Sequence, residues 1–132
     1  MLGDRDVTTM IAVKDAAEAA RFYEDVLGLA PLDRSPTVMR YRSGSSKLVV
    51  YESETAGTNR ATTALWTVDD LEGTVAALRA KGVAFDHYDD LPGVTRDGDV
   101  HDLGAFKTAW FQDPSGNTFE VNEGVDLGAL QA

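Results

Sequence analysis

Side chains able to do chemistry are few in this sequence, and most of them are carboxylates. There is no cysteine, which excludes disulfides, thiolate metal sites and a cysteine nucleophile. The two histidines, His87 and His101, are widely separated and lack a short ligand spacing such as H-x3-H. No G-x-S-x-G pattern marks a serine nucleophile. Residue types alone therefore give little support to metal or nucleophilic catalysis.

Glu120 is the carboxylate best placed for a role in a site. It lies in a predicted strand over 118–123, where Thr118, Glu120 and Asn122 share one face. Glu120 could act as a general base, stay ionised and pair with a ligand cation, or only accept hydrogen bonds. Because no second acid, base or nucleophile is placed beside it, recognition of a cation or hydroxyl is favoured over catalysis.

The elements that position these residues belong to one ordinary globular domain with an excess of acid. The 132 residues contain 12 Lys and Arg against 22 Asp and Glu, a formal charge of −10. No Lys/Arg cluster is present, so a nucleic-acid partner is not expected. The N-terminus lacks a signal-peptide pattern and no apolar run could span a bilayer, so we expect a cytoplasmic protein without a membrane partner. The negative potential favours a positively charged small molecule over a phosphorylated one.

An internal repeat organises the chain. The strand-like run from Thr8 leads through Asp15 into an amphipathic helical pattern over 16–27, and the run from Thr63 leads through Asp70 into a second pattern over 71–81. In each copy the aspartate is suited to capping the helix, and a glycine follows its last residue.

Strand signals separated by turns follow each predicted helix. They lie at 37–42 and 47–52 in the first copy, and at 83–88, 107–112 and 118–123 in the second. The chain is thus predicted to be a single α+β domain over 1–132 with two tandem βαβββ modules. The modules cover about 7–52 and about 62–124, with a linker at about 53–61. The Asp- and Gly-rich stretch 91–104 is predicted to be a long, acidic lid or binding loop.

This organisation, with Phe22-Tyr23, Leu27-Gly28 and the DPSGN turn at 113–117, resembles the vicinal oxygen chelate superfamily. That superfamily includes glyoxalase I, extradiol dioxygenases and bleomycin-resistance proteins. The resemblance covers the chain from Thr8 to Glu123. It implies the glyoxalase/bleomycin resistance/dihydroxybiphenyl dioxygenase fold, in which the modules form a curved sheet round a cavity.

The resemblance also identifies where a metal would bind in the metal-using members. Those members hold the ion with a His, Gln or Glu on the first strand and a Glu-like residue on the last strand of each repeat. The corresponding positions here are Thr8, Tyr51, Thr63 and Glu120, of which only Glu120 is a competent ligand. We therefore expect neither a metal nor another cofactor.

Strand alternation within that fold predicts which side chains line the cavity. Residues two apart on a strand share a face, and Trp66 is assigned by this rule to the core beneath a helix. The predicted ligand-binding residues are Thr8, Met10, Met39, Tyr41, Tyr51, Thr63, Leu65, Trp110, Glu120 and Asn122. Such a lining suits a flat or aromatic organic molecule held by stacking and a few polar groups.

The favoured function is a metal-independent binding protein of the bleomycin-resistance type, which sequesters a hydrophobic, aromatic or cationic drug-like metabolite. The alternatives are a glyoxalase- or dioxygenase-like metalloenzyme, or a metal-free lyase or isomerase that uses Glu120. A βαβββ unit alone leaves an open sheet edge, and related small members are usually dimers, so we also expect a homodimer.

Overall fold

The computed structural model describes residues 1–124, which divide between two compact units. Unit 1 contains Met1–Ala61 together with Asp113–Asn117, and unit 2 contains Thr62–Gln112 and residues 118–124. Each unit carries one copy of the repeat. Within residues 1–124, no helix is both long enough and apolar enough to cross a membrane.

Unit 1 is a four-stranded sheet with one helical segment packed on it and a short 3₁₀ turn before the first strand. Its elements are the 3₁₀ turn (Leu2–Asp4), β1 (Thr9–Val13), α1 (Ala16–Arg21), a π-helical turn that continues α1 (Phe22–Val26), β2 (Ala30–Arg34), β3 (Val38–Ser43) and β4 (Ser46–Glu52). The strand order is β1-β4-β3-β2, with β1 and β4 parallel and the other pairs antiparallel.

Unit 2 repeats this order around its own helix. Its elements are β5 (Thr62–Thr67), α2 (Leu71–Ala80), β6 (Phe85–Asp86), β7 (Thr95–Asp97), β8 (Val100–Asp102), β9 (Lys107–Gln112) and β10 (Thr118–Glu123). The order is β5-β10-β9-β8-β7, β6 also pairs with β9, and β5 and β10 are parallel. The predicted α+β fold with a repeated module is confirmed.

Both helices begin at the aspartates that the sequence identified. The Asp15 carboxylate accepts a hydrogen bond from the Glu18 amide at 3.0 Å, and Asp70 accepts one from the Gly73 amide at 3.0 Å. Each bond satisfies one of the four amides that the first turn of a helix leaves without a partner. The start of each helix is therefore fixed locally, before any packing.

Each helix covers one face of its own sheet. In unit 1 the buried Ile11, Val13 and Val50 face α1, while in unit 2 the α2 residues Leu71 and Val75 are buried against the sheet. The opposite side of each sheet, facing away from the helix of its own unit, is called here the non-helical face. It contains Met10, Arg40, Arg42, Lys47, Val49 and Tyr51 in unit 1, and Leu65, Thr67, Thr108, Trp110, Glu120 and Asn122 in unit 2.

Three elements differ from those predicted. Strand β2 lies where the sequence predicted no strand, and the predicted loop at 91–104 contains the hairpin β7–β8. The strand predicted over 83–88 is reduced to Phe85–Asp86. All three are short or exposed, so the burial that creates an alternating pattern is weak there.

The DPSGN turn, which the sequence placed in the second module, packs within unit 1. Asp113 is its centre: one carboxylate oxygen accepts from the amides of Ser115 and Asn117, at 3.0 and 2.8 Å. The other oxygen accepts from the Tyr23 hydroxyl at 2.7 Å and from the Asn117 side-chain amide at 2.9 Å. All four side chains are buried. The motif that carries the resemblance is therefore a structural part of unit 1.

Gly57 makes room for this turn. Its φ is +73°, a backbone conformation that side chains disfavour. A Cβ atom at this position would lie 2.0 Å from the carbonyl oxygen of Ser115. Only glycine fits both the backbone conformation and the close approach.

Candidate functional site

The non-helical face of unit 2 brings together an aromatic, an aliphatic and an acidic side chain. Glu120 on β10 pairs with Trp110 on β9 and with Leu65 on β5 in the sheet register. Glu120 and Trp110 are half-buried, and Leu65 is 44% exposed. This row combines an apolar surface with one carboxylate, which is the composition of a small-molecule subsite.

Thr108 orients the Glu120 carboxylate. The buried Thr108 hydroxyl lies 2.6 Å from Oε2 of Glu120 and 3.1 Å from the carbonyl oxygen of Val121, so its single proton is shared between two acceptors. Within residues 1–124, Glu120 forms no ion pair. The carboxylate therefore keeps acceptor capacity for a hydroxyl or a cation.

Asn122 and Thr67 form a second polar pair beside Glu120. The Thr67 hydroxyl donates to Oδ1 of Asn122 at 2.8 Å. Asn122 is only 3% exposed and Thr67 is exposed, so the amide positions the hydroxyl at the surface. Thr67 was not among the predicted binding residues. It lies two residues beyond Leu65 on the same strand and therefore shares its face.

An aromatic cluster packs against Trp110. The rings of Tyr88 and His101 each lie with their centroids 4.9 Å from that of Trp110, in edge-to-face geometry. Such contacts fix the orientation of the indole. Sequence reasoning missed Tyr88 and His101, because their contact with Trp110 depends on how the short strands β6 and β8 pair with β9. Both strands pair with the same edge of β9, β8 with its first residues and β6 with its later ones.

The surroundings of His101 in this cluster favour its neutral form. Its Nε2 accepts a hydrogen bond from the Tyr88 amide at 2.9 Å, so a neutral ring carries its proton on Nδ1, which is buried without a hydrogen-bond partner among the described residues. Burial lowers the pKa of His101, the neighbouring His87 and Arg96 lower it further, and Asp89 opposes these effects in part.

Thr63 lies at an irregularity rather than in the regular ladder. The register between β5 and β10 shifts after Thr62, so that Thr118 pairs with Thr62 and Phe119 with Ala64. Thr63 is the residue that this shift leaves without a partner position. A bulge of this kind changes the direction of the side chain that it carries.

In unit 1, the predicted residues divide between the two faces of the sheet. Met10 and Tyr51 lie on the non-helical face, where Met10 pairs with Val49 and Tyr51 pairs with Val38. Met10 is 55% exposed. Thr8 is exposed just before β1.

The prediction that Met39 and Tyr41 share the non-helical face is wrong. They are 3% and 0% exposed and lie on the helix side, where Tyr41 stacks on Tyr23 with ring centroids 6.0 Å apart. The Tyr41 hydroxyl donates to Glu24 at 2.8 Å, and burial together with this carboxylate raises the pKa of Tyr41. The alternation of these two side chains with Arg40 and Arg42 was the signal in the sequence for this orientation.

Trp66 lies on the helix side of its sheet, as the alternation predicts. Its ring meets that of the buried Phe119 at a centroid distance of 5.6 Å. The half-buried Trp66 therefore packs against the core of unit 2 from the helix side.

The donor set does not fit a divalent transition metal. Of the four family positions, Thr8 and Thr63 offer neutral hydroxyls, Tyr51 a phenol and Glu120 a carboxylate. A stable site for such an ion needs about three imidazole, thiolate or carboxylate ligands. In the described part of the chain, no three His, Asp or Glu side chains are grouped so as to hold a metal.

Comparison with known proteins agrees with this architecture. A family profile described as the Glyoxalase/Bleomycin resistance protein/Dioxygenase superfamily matches residues 7–121. No curated protein sequence matches the chain significantly.

Several solved structures share the fold at low sequence identity. TnmS3, an antibiotic binding protein from Streptomyces sp. CB03234, is 22% identical with a TM-score of 0.63, over 90% of this chain and 96% of that chain. A lactoylglutathione lyase from Agrobacterium tumefaciens is 19% identical with a TM-score of 0.66, over 91% of this chain and 93% of that one.

Proposed function

The chain belongs to the Glyoxalase/Bleomycin resistance protein/Dioxygenase superfamily, and we propose that it is a metal-independent protein that binds and sequesters a small organic molecule. The ligand has an aromatic or apolar body and a hydroxyl or cationic group. TnmS3, an antibiotic binding protein with the same fold, is a precedent for binding of this kind.

The Glu120 row is the observation that carries this proposal. Trp110 and Leu65 flank the carboxylate on the non-helical face, and Thr108 holds one of its oxygens at 2.6 Å. A flat ligand can stack on the indole while its cation or hydroxyl meets the second oxygen. The formal charge of −10 attracts cations over a longer range.

Catalysis has less support from the same geometry. A general base needs an acid or an oxyanion donor beside it, and the side chain hydrogen-bonded to Glu120 is a threonine hydroxyl that is already shared. A metal-free lyase or isomerase that uses Glu120 as its base is the alternative. The likeness to a lactoylglutathione lyase is its support.

The proposal includes a homodimer in the cytoplasm. It rests on the superfamily resemblance and on the exposed strand β2, which is the edge of the unit 1 sheet and carries no buried residue. Sedimentation at micromolar concentration tests the assembly, and a monomer would contradict it.

The test of binding combines a thermal-shift and calorimetry screen with recovery of the ligand. The panel contains aromatic and cationic antibiotics, bleomycin included. We expect at least one compound to bind and to be recovered intact by mass spectrometry. Conversion of the compound by the wild type but not by Glu120→Gln would instead establish the lyase alternative.

Matched variants assign the binding to the proposed row. Glu120→Gln removes the charge and should weaken a cationic ligand about tenfold, since charge-assisted hydrogen bonds are roughly twice as strong as neutral ones. Glu123→Gln removes the same charge from the same strand on the helix side, where Glu123 pairs with Lys107. Equal affinities of the two variants for the ligand would overturn the assignment.

A further inference from the structure

Two cations lie side by side on the non-helical face of unit 1. Arg42 on β3 and Lys47 on β4 are directly opposite each other in the antiparallel register, and both are exposed. Side chains at such positions have Cβ atoms about 4.5–5.5 Å apart, and like charges there are destabilising. Because this pair of like charges disfavours folding, we ask what the pair does.

Neither cation has an acidic partner in the described part of the chain. The neighbouring Arg40 does: its Nε lies 2.9 Å from Oδ1 of Asp33 on β2. Protection of a sheet edge does not account for the pair, because β3 and β4 are the two inner strands of this sheet. In a chain with a formal charge of −10, two adjacent cations without a carboxylate are conspicuous.

Hydroxyl groups adjoin Lys47. A cavity of about 470 Å³ is lined by Lys47 together with Asp6, Val7, Thr8, Ser45 and Ser46. Hydroxyl and ammonium groups donate hydrogen bonds to oxyanions. Asp6 is the one carboxylate in this lining, and its charge repels a bound anion. Its replacement by asparagine therefore tests whether the ligand is an anion.

An apolar strip continues from the cations along the same face. Val49 lies two residues beyond Lys47 on β4 and pairs with Met10, which is 55% exposed. Tyr51 follows two residues further along β4. The face thus offers cations at one end and an apolar surface beside them.

We propose that this face binds an organic anion with an apolar body. A carboxylate, sulfate or phosphate group is held by Arg42, Lys47 and the adjoining hydroxyls, while the apolar body lies along Val49 and Met10. The net charge of the chain is negative and predicted a cationic ligand, whereas the local charge at this site is positive and favours an anion. Thr8 and Met10 of this site also belong to the predicted ligand-binding residues, but the Glu120 row of unit 2 takes no part in it, so each site can be tested without the other.

The test uses three probes with the same tail. Octyl sulfate, octyl glucoside and octyltrimethylammonium, each below its micelle concentration, are titrated into the ¹⁵N-labelled protein while amide shifts are followed. We expect octyl sulfate to bind about tenfold more tightly than octyl glucoside and to shift the amides of Arg42 and Lys47. Equal affinity for the three probes would overturn the site. Inorganic phosphate tests the head group alone, and binding as tight as that of octyl sulfate would overturn the apolar contact.

Four variants locate the effect. Arg42→Gln/Lys47→Gln should lose the preference for octyl sulfate, whereas Arg21→Gln/Arg60→Gln, which removes the same charge elsewhere in unit 1, should keep it. Asp6→Asn should tighten octyl sulfate binding about twofold. The midpoint of thermal unfolding should not fall in Arg42→Gln/Lys47→Gln, because the change relieves a like-charge pair. Unchanged octyl sulfate binding by this folded variant would overturn the proposal. Loss of octyl sulfate binding in Glu120→Gln, but not in Arg42→Gln/Lys47→Gln, would also overturn it.

Discussion

The hydroxyl of Tyr23 donates a hydrogen bond of 2.7 Å to the carboxylate of Asp113, and both side chains are buried in unit 1. Ninety residues of chain separate the two. The bond connects the helical segment after α1 with the DPSGN turn. A buried carboxylate depends on its donors, since each one that is removed leaves desolvated charge without compensation.

Removal of this hydroxyl should destabilise the protein strongly. We expect Tyr23→Phe to lower the free energy of unfolding by about 1–3 kcal/mol, because Asp113 loses a donor that water cannot replace. Chemical denaturation with urea measures the change. The matched control is Tyr41→Phe, whose hydroxyl bonds to the partly exposed Glu24, and its cost should be about 1 kcal/mol or less. Equal costs in the two variants would contradict the role assigned to Asp113.

Stability should also fall at alkaline pH. Burial and the neighbouring Asp113 raise the pKa of Tyr23 far above its ordinary value, so the folded state keeps a proton that the unfolded state releases above a pH of about 10. The folded state then binds more protons than the unfolded state, and the free energy of unfolding falls as the pH rises, by about 1.4 kcal/mol per pH unit for one group. Denaturation at several pH values above 10 should show a shallower decline in Tyr23→Phe. The same slope in both proteins would contradict this linkage.

Gly57→Ala should be more damaging than an ordinary glycine replacement. The added Cβ meets the Ser115 carbonyl oxygen at 2.0 Å and the backbone is at φ +73°, so both steric clash and strain oppose it. We expect a loss above about 3 kcal/mol, or failure to fold. Gly44→Ala is the control: its φ is +57° but nothing lies within 4 Å, so strain alone should cost about 1–2 kcal/mol. Similar losses at the two positions would show that the close approach to Ser115 is unimportant.

The buried His101 should make stability depend on pH below neutrality. Its pKa is lowered in the folded state, mainly by burial, so between that pKa and about 6.5 the unfolded state binds more protons. The free energy of unfolding is then fully maintained above about 6.5 and falls as the pH decreases through this window. His101→Gln should remove that part of the pH dependence, as measured by urea denaturation at pH 7.0 and about 5.5. The same pH dependence in His101→Gln and in the wild type would show that His101 is not its source.

The sequence allowed prediction wherever a local signal sufficed. Asp15 and Asp70 identified both helix starts because a capping side chain acts within three residues of itself. The placement of Trp66 on the helix side followed from strand alternation within the fold that the resemblance implied. Superfamily membership followed from motifs that are contiguous in sequence.

Prediction failed where contacts distant in sequence, or strands of only a few residues, determine the structure. Every residue of β2 is exposed and Pro31 interrupts it, so no alternation marks the strand. The strands β7 and β8 have three residues each, too few for a pattern. Met39 and Tyr41 were assigned to the wrong face, although their alternation with Arg40 and Arg42 marked them as buried. His101 and Tyr88 joined the candidate site only through pairing with β9.

The insertion of the DPSGN turn in unit 1 has a consequence for synthesis on the ribosome. The amide of Lys14 donates to the Ser115 hydroxyl, and the side-chain amide of Asn117 donates to the carbonyl of Ala12, across 101 and 105 residues respectively. Residues 1–61 leave the exit tunnel before the DPSGN turn, so they lack these partners until residues 113–117 have been made. Contacts of such long sequence separation slow folding. Unit 1 of the nascent chain therefore stays incompletely packed until the DPSGN turn has been synthesised.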